Sequence, residues 1–505
     1  MSRLTRRQLL QGGLAAGVAG CAGFGGKAIG QAIGSNDAVR VAVIGLHGRG
    51  QSHLASIAHT EGMRLAGLCD VDPAILGQNV EAIEKHGSRV PAFADVRKLL
   101  DRKDVDAVTI ATPNHWHSLL GIWACQAGKD VYVEKPVSHN IWEGRQFVRA
   151  ARKYGRMVQS GTQARANPDV IDAVRWVRGG NLGKIRYAQG TCYNPRMSIG
   201  KVGKGKIPPG LDYDLWTGPA PLKPLARQNL HYDWHWIYDY GNGDLGNQGI
   251  HEMDIARWFL GYSALPPRVL SIGGRLGYDD DAETPNTQLV YHDYDGPPLV
   301  FEVRGLPKSS QYRTSKDVWS HSMDLPPGFV GPRGIGVTVV CEGGRLIVEG
   351  GGQAVVASDT AGKVIRRFEK KDRFGLGWTK GDHYIFRSWL QAMHSRKSED
   401  LSADILEGHL SSALCHLGLI SHRLGRTRTG DDIRQQIQGN RLAAARFDSM
   451  KDHLQRNGVD LSRPQVTLGM WLTVDPAAER FVDSDAATAL LRPPYRKPYV
   501  VPEIA

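Results

Sequence analysis

The stretch that most constrains this chain is residues 39–70, VRVAVIGLHGRGQSHLASIAHTEGMRLAGLCD. A β-branched run breaks at Gly45, Gly48 and Gly50, a helix-compatible segment follows, and a second apolar run closes on Asp70. Strand, glycine turn, helix and strand in that order predict one βαβ unit. Glycines let main-chain N–H groups approach a pyrophosphate, and the helix N-terminus beyond them adds partial positive charge. An acid at the tip of the second strand can accept hydrogen bonds from a ribose and repels an added 2′-phosphate. The stretch therefore predicts a dinucleotide site on Gly45, His47, Gly48, Arg49, Gly50 and Asp70, for NAD in preference to NADP. The spacing is G-x-x-G-x-G rather than the commoner G-x-G-x-x-G, so the decision falls to the rest of the chain.

The α/β rhythm continues with strands at 104–112, 129–133 and 157–161 and helices at 117–127 and 141–154. Such alternation implies a parallel sheet covered on both faces, with ligands at the carboxyl ends of its strands. Two segments stand at such ends: 111–117, Ala-Thr-Pro-Asn-His-Trp-His, and 134–136, Glu-Lys-Pro. Thr112, Asn114, His117, Glu134 and Lys135 join the cofactor-binding candidates on that ground. After a helix at 168–178 the rhythm changes to strand-like runs at 184–193, 268–275, 287–291, 299–303, 336–341 and 345–348. Most are separated by no helical pattern, which argues an antiparallel sheet with one exposed face. The expected fold is α/β: an N-terminal Rossmann domain over 37–165 and a C-terminal α/β domain over 166–430 with a largely antiparallel open sheet.

A dinucleotide turn, a strand ending in ATPNHWH and a strand ending in Glu-Lys-Pro together resemble the Gfo/Idh/MocA family of NAD(P)-dependent sugar oxidoreductases. The second half carries Gly243-Asp244-Leu245-Gly246-Asn247-Gln248-Gly249-Ile250-His251-Glu252-Met253-Asp254, similar to that family's glycine-rich turn leading to Asp-x-Gly-x-His. The resemblance implies a catalytic lysine at Lys135, a histidine facing it across the cleft at His251, and an open C-terminal sheet used for subunit contact. Asn247 stands where the family pattern has Asp. An amide can orient a hydroxyl or an imidazole but cannot accept a proton. The relay then rests on Lys135 and His251, or on another acid such as Asp254 or Asp239.

The chemistry of the residues is consistent with this. Oxidation of a carbinol needs a base for the hydroxyl proton, and reduction needs a donor that polarises the carbonyl. A lysine at a strand end can do both, since burial near a cationic ring lowers its pKa, and histidine titrates near neutrality. Between the first two strands of the second domain lies an insertion, 194–247, rich in Gly, Pro, Tyr and Trp. Trp234 and Trp236 offer flat faces that suit sugar rings; Arg165, Tyr193 and Asp254 complete the substrate-side candidates. Residues 381–424 are predicted helical, with His409, His416 and His422 too sparsely accompanied to form a metal site.

The first residues, MSRLTRRQLLQGGLAAGVAGCAGFGG, place paired arginines before a mild apolar stretch, matching a twin-arginine export signal over 1–34 and a periplasmic destination. Cleavage near Ala32 and lipidation at Cys21 are both open. Four basic residues fall in this segment, so of the net charge of +12 the remainder carries +8, spread without a basic stripe; nucleic acid is not an expected partner. Six scattered cysteines form no C-x-x-C pair and no disulfide framework. The tail, 431–505, ends in RPPYRKPYVVP and reads as an extended strap over the body or onto a neighbouring subunit of a homo-oligomer. An exported nicotinamide enzyme meets little free cofactor, which favours tightly held, internally recycled NAD. Oxidation or reduction at a sugar or glycoside C3 is the leading expectation. Alternatives are a redox-neutral NAD-dependent glycoside hydrolase or epimerase, although the chain lacks the Tyr-Pro-Thr-His-type segment of the α-N-acetylgalactosaminidase branch, and a non-catalytic exported sugar- or nucleotide-binding scaffold.

Overall fold

The computed structural model describes residues 38–314, 334–369, 379–482 and 484–505; the expected export signal and Cys21 lie outside them. Six strands form the first sheet: β1 (Val39–Ile44), β2 (Met63–Cys69), β3 (Ala92–Phe93), β4 (Ala107–Ile110), β5 (Asp130–Val133) and β6 (Val158–Ser160). Their order is β3-β2-β1-β4-β5-β6, every pairing parallel. The order reverses between β1 and β4, and that switch point is where a doubly wound sheet opens a crevice. Val41, Val43, Val108 and Val131 have no solvent exposure, as strands covered on both faces require. Helices Arg49–His59 (α1), Asn114–Gln126 (α2) and Ile141–Lys153 (α3) provide part of that cover.

The second sheet is mixed and largely antiparallel. Its path runs β14 (Val364–Arg367), β13 (Ala354–Asp359), β12 (Gly344–Glu349), β11 (Ile335–Cys341), β7 (Ile185–Cys192), β10 (Leu299–Arg304), β9 (Thr287–Asp293), β8 (Arg268–Gly274), β16 (Val466–Leu468) and β15 (Arg426–Arg428), with β7 and β10 the parallel pair. Helices Pro168–Arg178, Ile250–Leu260 (α4) and Ile405–Arg423 (α5) bury one face through Val174, Phe259, Leu414 and the inward residues Val290 and Phe301.

Three expectations change. Residues 381–424 are two helices, Thr379–Ser395 and α5, because the polar run after Ser395 cannot continue an apolar stripe and Asp404 caps the next helix by accepting from the Leu406 N–H. The first of these packs on the other domain: Phe386 and Trp389, both fully buried, lie against Tyr132, Ile57 and Leu68. The tail is also more than a strap. Its helix Arg441–Arg456 sets Phe447, Met450 and Leu454 on Leu270, Ile272, Leu289 and Tyr291, covering the sheet face expected to be exposed. Val466–Leu468 and Leu472–Asp475 then extend the sheet beside β8 (Arg268–Gly274). Only the final residues run extended, and Tyr499, Val501 and Ile504 enter the first domain's core beside Trp116.

Candidate functional site

At the switch point a cavity of about 400 Å³ opens between the glycine turn, the ends of β4 and β5, and the long insertion. Gly45, His47, Gly48, Arg49, Asp70, Thr112, Asn114, His117, Glu134 and Lys135 all line it. Gly50 does not. A Cβ there would stand 2.0 Å from the Gly45 carbonyl oxygen, so this glycine permits the helix to pack on the turn rather than touching a ligand.

The cradle is built for an anion. Gly48 has φ +46°, with nothing within 4 Å of where a Cβ would be. The N-terminus of α1 has no side-chain cap and no acid in its first turn, although the Gly50 and Gln51 N–H groups bond the His47 and Gly48 carbonyls, so its partial positive charge is not neutralised locally. Asp70 is held in place by the N–H groups of Leu46 (2.8 Å) and Asp72 (2.9 Å), and burial raises its pKa. The buried Thr112 Oγ1 has no hydrogen-bond partner among the described residues. These residues fit a pyrophosphate-linked dinucleotide.

Beside the cradle, Arg49 donates to Glu134 (2.7 and 3.0 Å) and to Asp382 (2.8 and 3.0 Å). Burial opposes its charge, but the two carboxylates hold its pKa well above the ordinary value. Glu134 is also approached by His53 Nε2 at 3.2 Å and Gln163 Nε2 at 3.3 Å. Burial would raise its pKa, yet Arg49 and His53 keep it well below the usual carboxylate range. Asp382 comes from 333 residues away on a helix no local pattern links to this site. His117 ties the two strand ends together, its ring nitrogens 2.6 Å from the Pro136 carbonyl and 2.7 Å from that of Thr112. Burial lowers its pKa although both carbonyls favour the protonated ring.

Lys135 stands next along β5's exit. Its Nζ donates to the main-chain carbonyl of Asn247 at 2.5 Å, within the wide π-type turn Leu245–Gly249 that precedes α4. Asn247 thus meets Lys135 through its backbone, a contact that Asp and Asn make alike, and also lines the cavity. Burial lowers the lysine pKa, and Glu134 opposes the shift. His251 opens α4; burial first and the Lys135 charge second push it down to about 3, so it is neutral near pH 7. His235, from the insertion, is likewise held to about 3 by burial, with Lys135 adding repulsion.

The insertion forms the opposite wall with Trp216, His231, Tyr232, Trp234 and His235. It is pinned where the Trp216 carbonyl accepts from Trp116 Nε1 (2.9 Å) and where His231 stacks on His47 (5.2 Å) and meets Asp72 (2.9 Å). Of the expected substrate residues, Trp234 lines the cavity and the others do not. Arg165 and Asp254 pair with each other at 2.9 Å, in a buried cluster with Arg257, Glu407 and Ser411. Tyr193 donates to Glu302 at 2.7 Å, and Trp236 lies beneath Arg196, 3% exposed. Asp239 is paired with Lys223 at 2.6 Å. Polar residues bracketing the domain junction satisfied one another, so type and position along the chain misassigned them. His231 and His235 were signalled only by the aromatic density around them. Among the described residues no group of three or more His, Cys, Asp or Glu could hold a metal ion.

A Rossmann sheet with an anion cradle at its switch point and a buried lysine facing a second, antiparallel domain defines a two-domain nucleotide-binding oxidoreductase. Residues 39–162 match the oxidoreductase family with NAD-binding Rossmann fold, and residues 181–316 match its C-terminal alpha/beta domain; the chain belongs to this Gfo/Idh/MocA family. Curated relatives include a glycosyl hydrolase family 109 protein of Shewanella pealeana, 28% identical over 170 residues, 33% of this chain and 37% of the relative. An alpha-N-acetylgalactosaminidase of Shewanella oneidensis is 30% identical over 158 residues, 30% of this chain and 34% of the relative. The matched stretch thus spans about a third of these relatives' length. The WlbA dehydrogenase of Bordetella pertussis, solved with NADH and UDP-GlcNAcA, superposes at TM-score 0.53 with 19% identity over 76% of this chain and 97% of its own. A levoglucosan dehydrogenase with NADH does so at 0.55, with 16% identity over 75% and 97%; these likenesses concern the fold.

Proposed function

We propose that this protein oxidises and reduces a hydroxyl carbon of a sugar or glycoside, at C3, with tightly held NAD and with Lys135 as the acid–base group. The observation that carries the reading is the position of Lys135: its amine lies between the nucleotide cradle and the aromatic wall of the insertion. The Gly45–Arg49 turn would hold the pyrophosphate and Asp70 the ribose, whose 2′-phosphorylated form its charge disfavours. When bound, the nicotinamide supplies the hydride acceptor and donor.

The remaining chemistry belongs to the chain. With its pKa lowered by burial, the Lys135 amine is the group that would take a hydroxyl proton and return it to a forming alkoxide. The Asn247 carbonyl orients that amine, and Glu134, fixed by Arg49 and His53, favours its charged form against burial. His251, which does not line the cavity, is neutral and is not a cationic acid. Trp234 and Trp216 provide apolar faces for a ring whose hydroxyls meet polar partners.

A second reading, a redox-neutral glycoside hydrolase or epimerase that restores its cofactor within each cycle, is favoured by the names of the relatives that match the first domain. Export by the twin-arginine route fits both readings, since either recycles its cofactor. The test is to purify the protein, denature it and identify released nucleotide by chromatography and mass. Near-stoichiometric NAD supports the proposal; a protein with neither nucleotide nor measurable NADH affinity defeats it in favour of a binding scaffold. Incubating a glycoside panel in D₂O then separates the readings. C2 deuteration with loss of the aglycone marks the redox-neutral route, and accumulation of a 3-keto product marks net oxidation.

A further inference from the structure

The nucleotide cavity has two ends, and the chain's last residues hold one of them. Lys135 follows β5, whereas Asp70 follows β2 and Ala94 follows β3, toward the opposite edge of the sheet. Beyond Asp70 the lining is apolar, with Ala94, Val96, Leu120 and Leu215. A dinucleotide whose ribose meets Asp70 and whose nicotinamide points toward Lys135 sets its adenine at this apolar end.

Leu215 reaches that end on a five-residue helix of the insertion, Tyr213–Thr217. One side chain from 282 residues further along fastens this helix and the turn after it. Arg496 donates from Nη2 to the Asp214 carbonyl (2.8 Å), from Nε to the Gly218 carbonyl (3.1 Å) and from Nη1 to the Asp214 carboxylate (2.5 Å). Its main-chain N–H adds a bond to the Pro219 carbonyl at 3.2 Å. The Asp214 side chain is 52% exposed, so the ion pair by itself contributes little. What fixes the segment is the rigid guanidinium fork, which reaches two carbonyls at once.

The tail is rooted in the first domain. Tyr499, 4% exposed, stands edge-on to Trp116 at 5.4 Å, with Arg97 and Arg496 over its ring at 5.9 and 5.1 Å. Leu215 packs on the same apolar cluster as Tyr499, Val96 and Leu120. Gly218, at φ +52°, lets the turn lie against Trp116, since a Cβ there would be 2.2 Å from that ring. The tail therefore ties the insertion to the first domain at the apolar end of the cavity, away from Lys135.

We propose that Arg496 is a positioning residue for the nucleotide: by fastening residues 214–219 to the first domain it fixes Leu215 against the adenine and slows release of the dinucleotide. This rests on the nucleotide reading above and deepens it, since it names what retains the cofactor. Arg496 touches no reacting atom and acts only through the wall it holds.

The test follows exchange on the full-length protein: NADH-loaded protein is chased with excess ADP-ribose, and ADP-ribose-loaded protein with NADH, both read by NADH fluorescence. In Arg496→Met, release of both ligands is expected to quicken at least fivefold, because each carries the adenine half. Bound NADH keeps its emission maximum, because the nicotinamide end is untouched. Asp214→Asn leaves the carbonyl bonds in place and changes release less than twofold. Arg496→Lys, which keeps the charge and loses the fork, falls between these two and carries the same comparison with a smaller change. Arg492→Ala, at an exposed residue of the same tail lying over Trp142, leaves release unchanged; urea midpoints establish that each variant is folded. Unaltered release in folded Arg496 variants, quickening for NADH but not for ADP-ribose, or equal quickening in Arg492→Ala would each overturn the assignment. A wild type that binds neither ligand defeats the nucleotide reading and the clamp with it, whereas a wild type that binds both and shares its release rates with Arg496→Met defeats the clamp alone.

Discussion

Glu134→Gln separates the positioning of Lys135 from its chemistry. The carboxylate is 5% exposed and receives Arg49 at 2.7 Å and His53 at 3.2 Å. The amide keeps the shape but loses the charge: its carbonyl can still accept from Arg49, His53 and Gln163, which all bond Oε1, while its NH₂ group takes the place of Oε2 and faces the Lys135 N–H. Breaking a buried pair costs about 3–5 kcal/mol. Here Arg49 is 36% exposed and keeps Asp382 at 2.8 Å, which reduces the expected loss to roughly 1–3 kcal/mol. The sign with pH follows from the depressed folded pKa of Glu134. Its stabilisation is complete above the unfolded carboxylate pKa and is lost as pH falls toward the folded one, so the deficit of the variant, read by urea unfolding, is full at pH 7 and shrinks in acid. Glu134 also raises the pKa of Lys135 against burial. Removing its charge moves the Lys135 limb of the kcat/KM profile to lower pH: the acidic limb for oxidation, where the amine is the base, and the basic limb for reduction, where it is the acid. A variant with unchanged stability at pH 7 and an unmoved limb would refute the account of both residues.

Lys135→Ala is expected to retain NADH while turnover falls by about 10²–10⁴, compared by binding titration and initial rates. Gly50→Ala forces a Cβ to within 2.0 Å of the Gly45 carbonyl oxygen; overpacking of this kind costs about 1–3 kcal/mol, so both the melting temperature and NADH affinity should fall. Trp389→Ala, at a site with no exposure, should lose about 3–5 kcal/mol in urea unfolding, and an unchanged midpoint would deny that this helix belongs to the first domain's core. Burial holds His115 and His292 near 3 and His453 near 4. The unfolded chain therefore takes up protons the folded one refuses, and stability should fall as pH drops below about 6.5, measured as the urea midpoint from pH 7.5 to 5.

The sequence by itself determined the first domain and its ligand-facing edge. A strand, a glycine turn and an acid are local features, and ATPNHWH and Glu-Lys-Pro mark strand ends by the same short-range logic, so ten of the eleven cofactor candidates line the cavity. Gly50 missed because a motif does not distinguish a glycine that admits a ligand from one that admits a carbonyl. What lay beyond local pattern was decided by tertiary structure. Asp382 reached Arg49 because Phe386 and Trp389 share its helix and found their apolar partners on the first domain. Arg165 and Asp254 left the substrate list because a buried charge must be paired, and each was the other's nearest remedy. The tail became a helix, two sheet strands and a hydrophobic terminus because Phe447, Val466 and Ile504 had faces to bury. Periodicity shows that a segment has such a face, but which distant surface receives it depends on shape and on which buried polar groups still lack partners, and these exist only once the chain has folded.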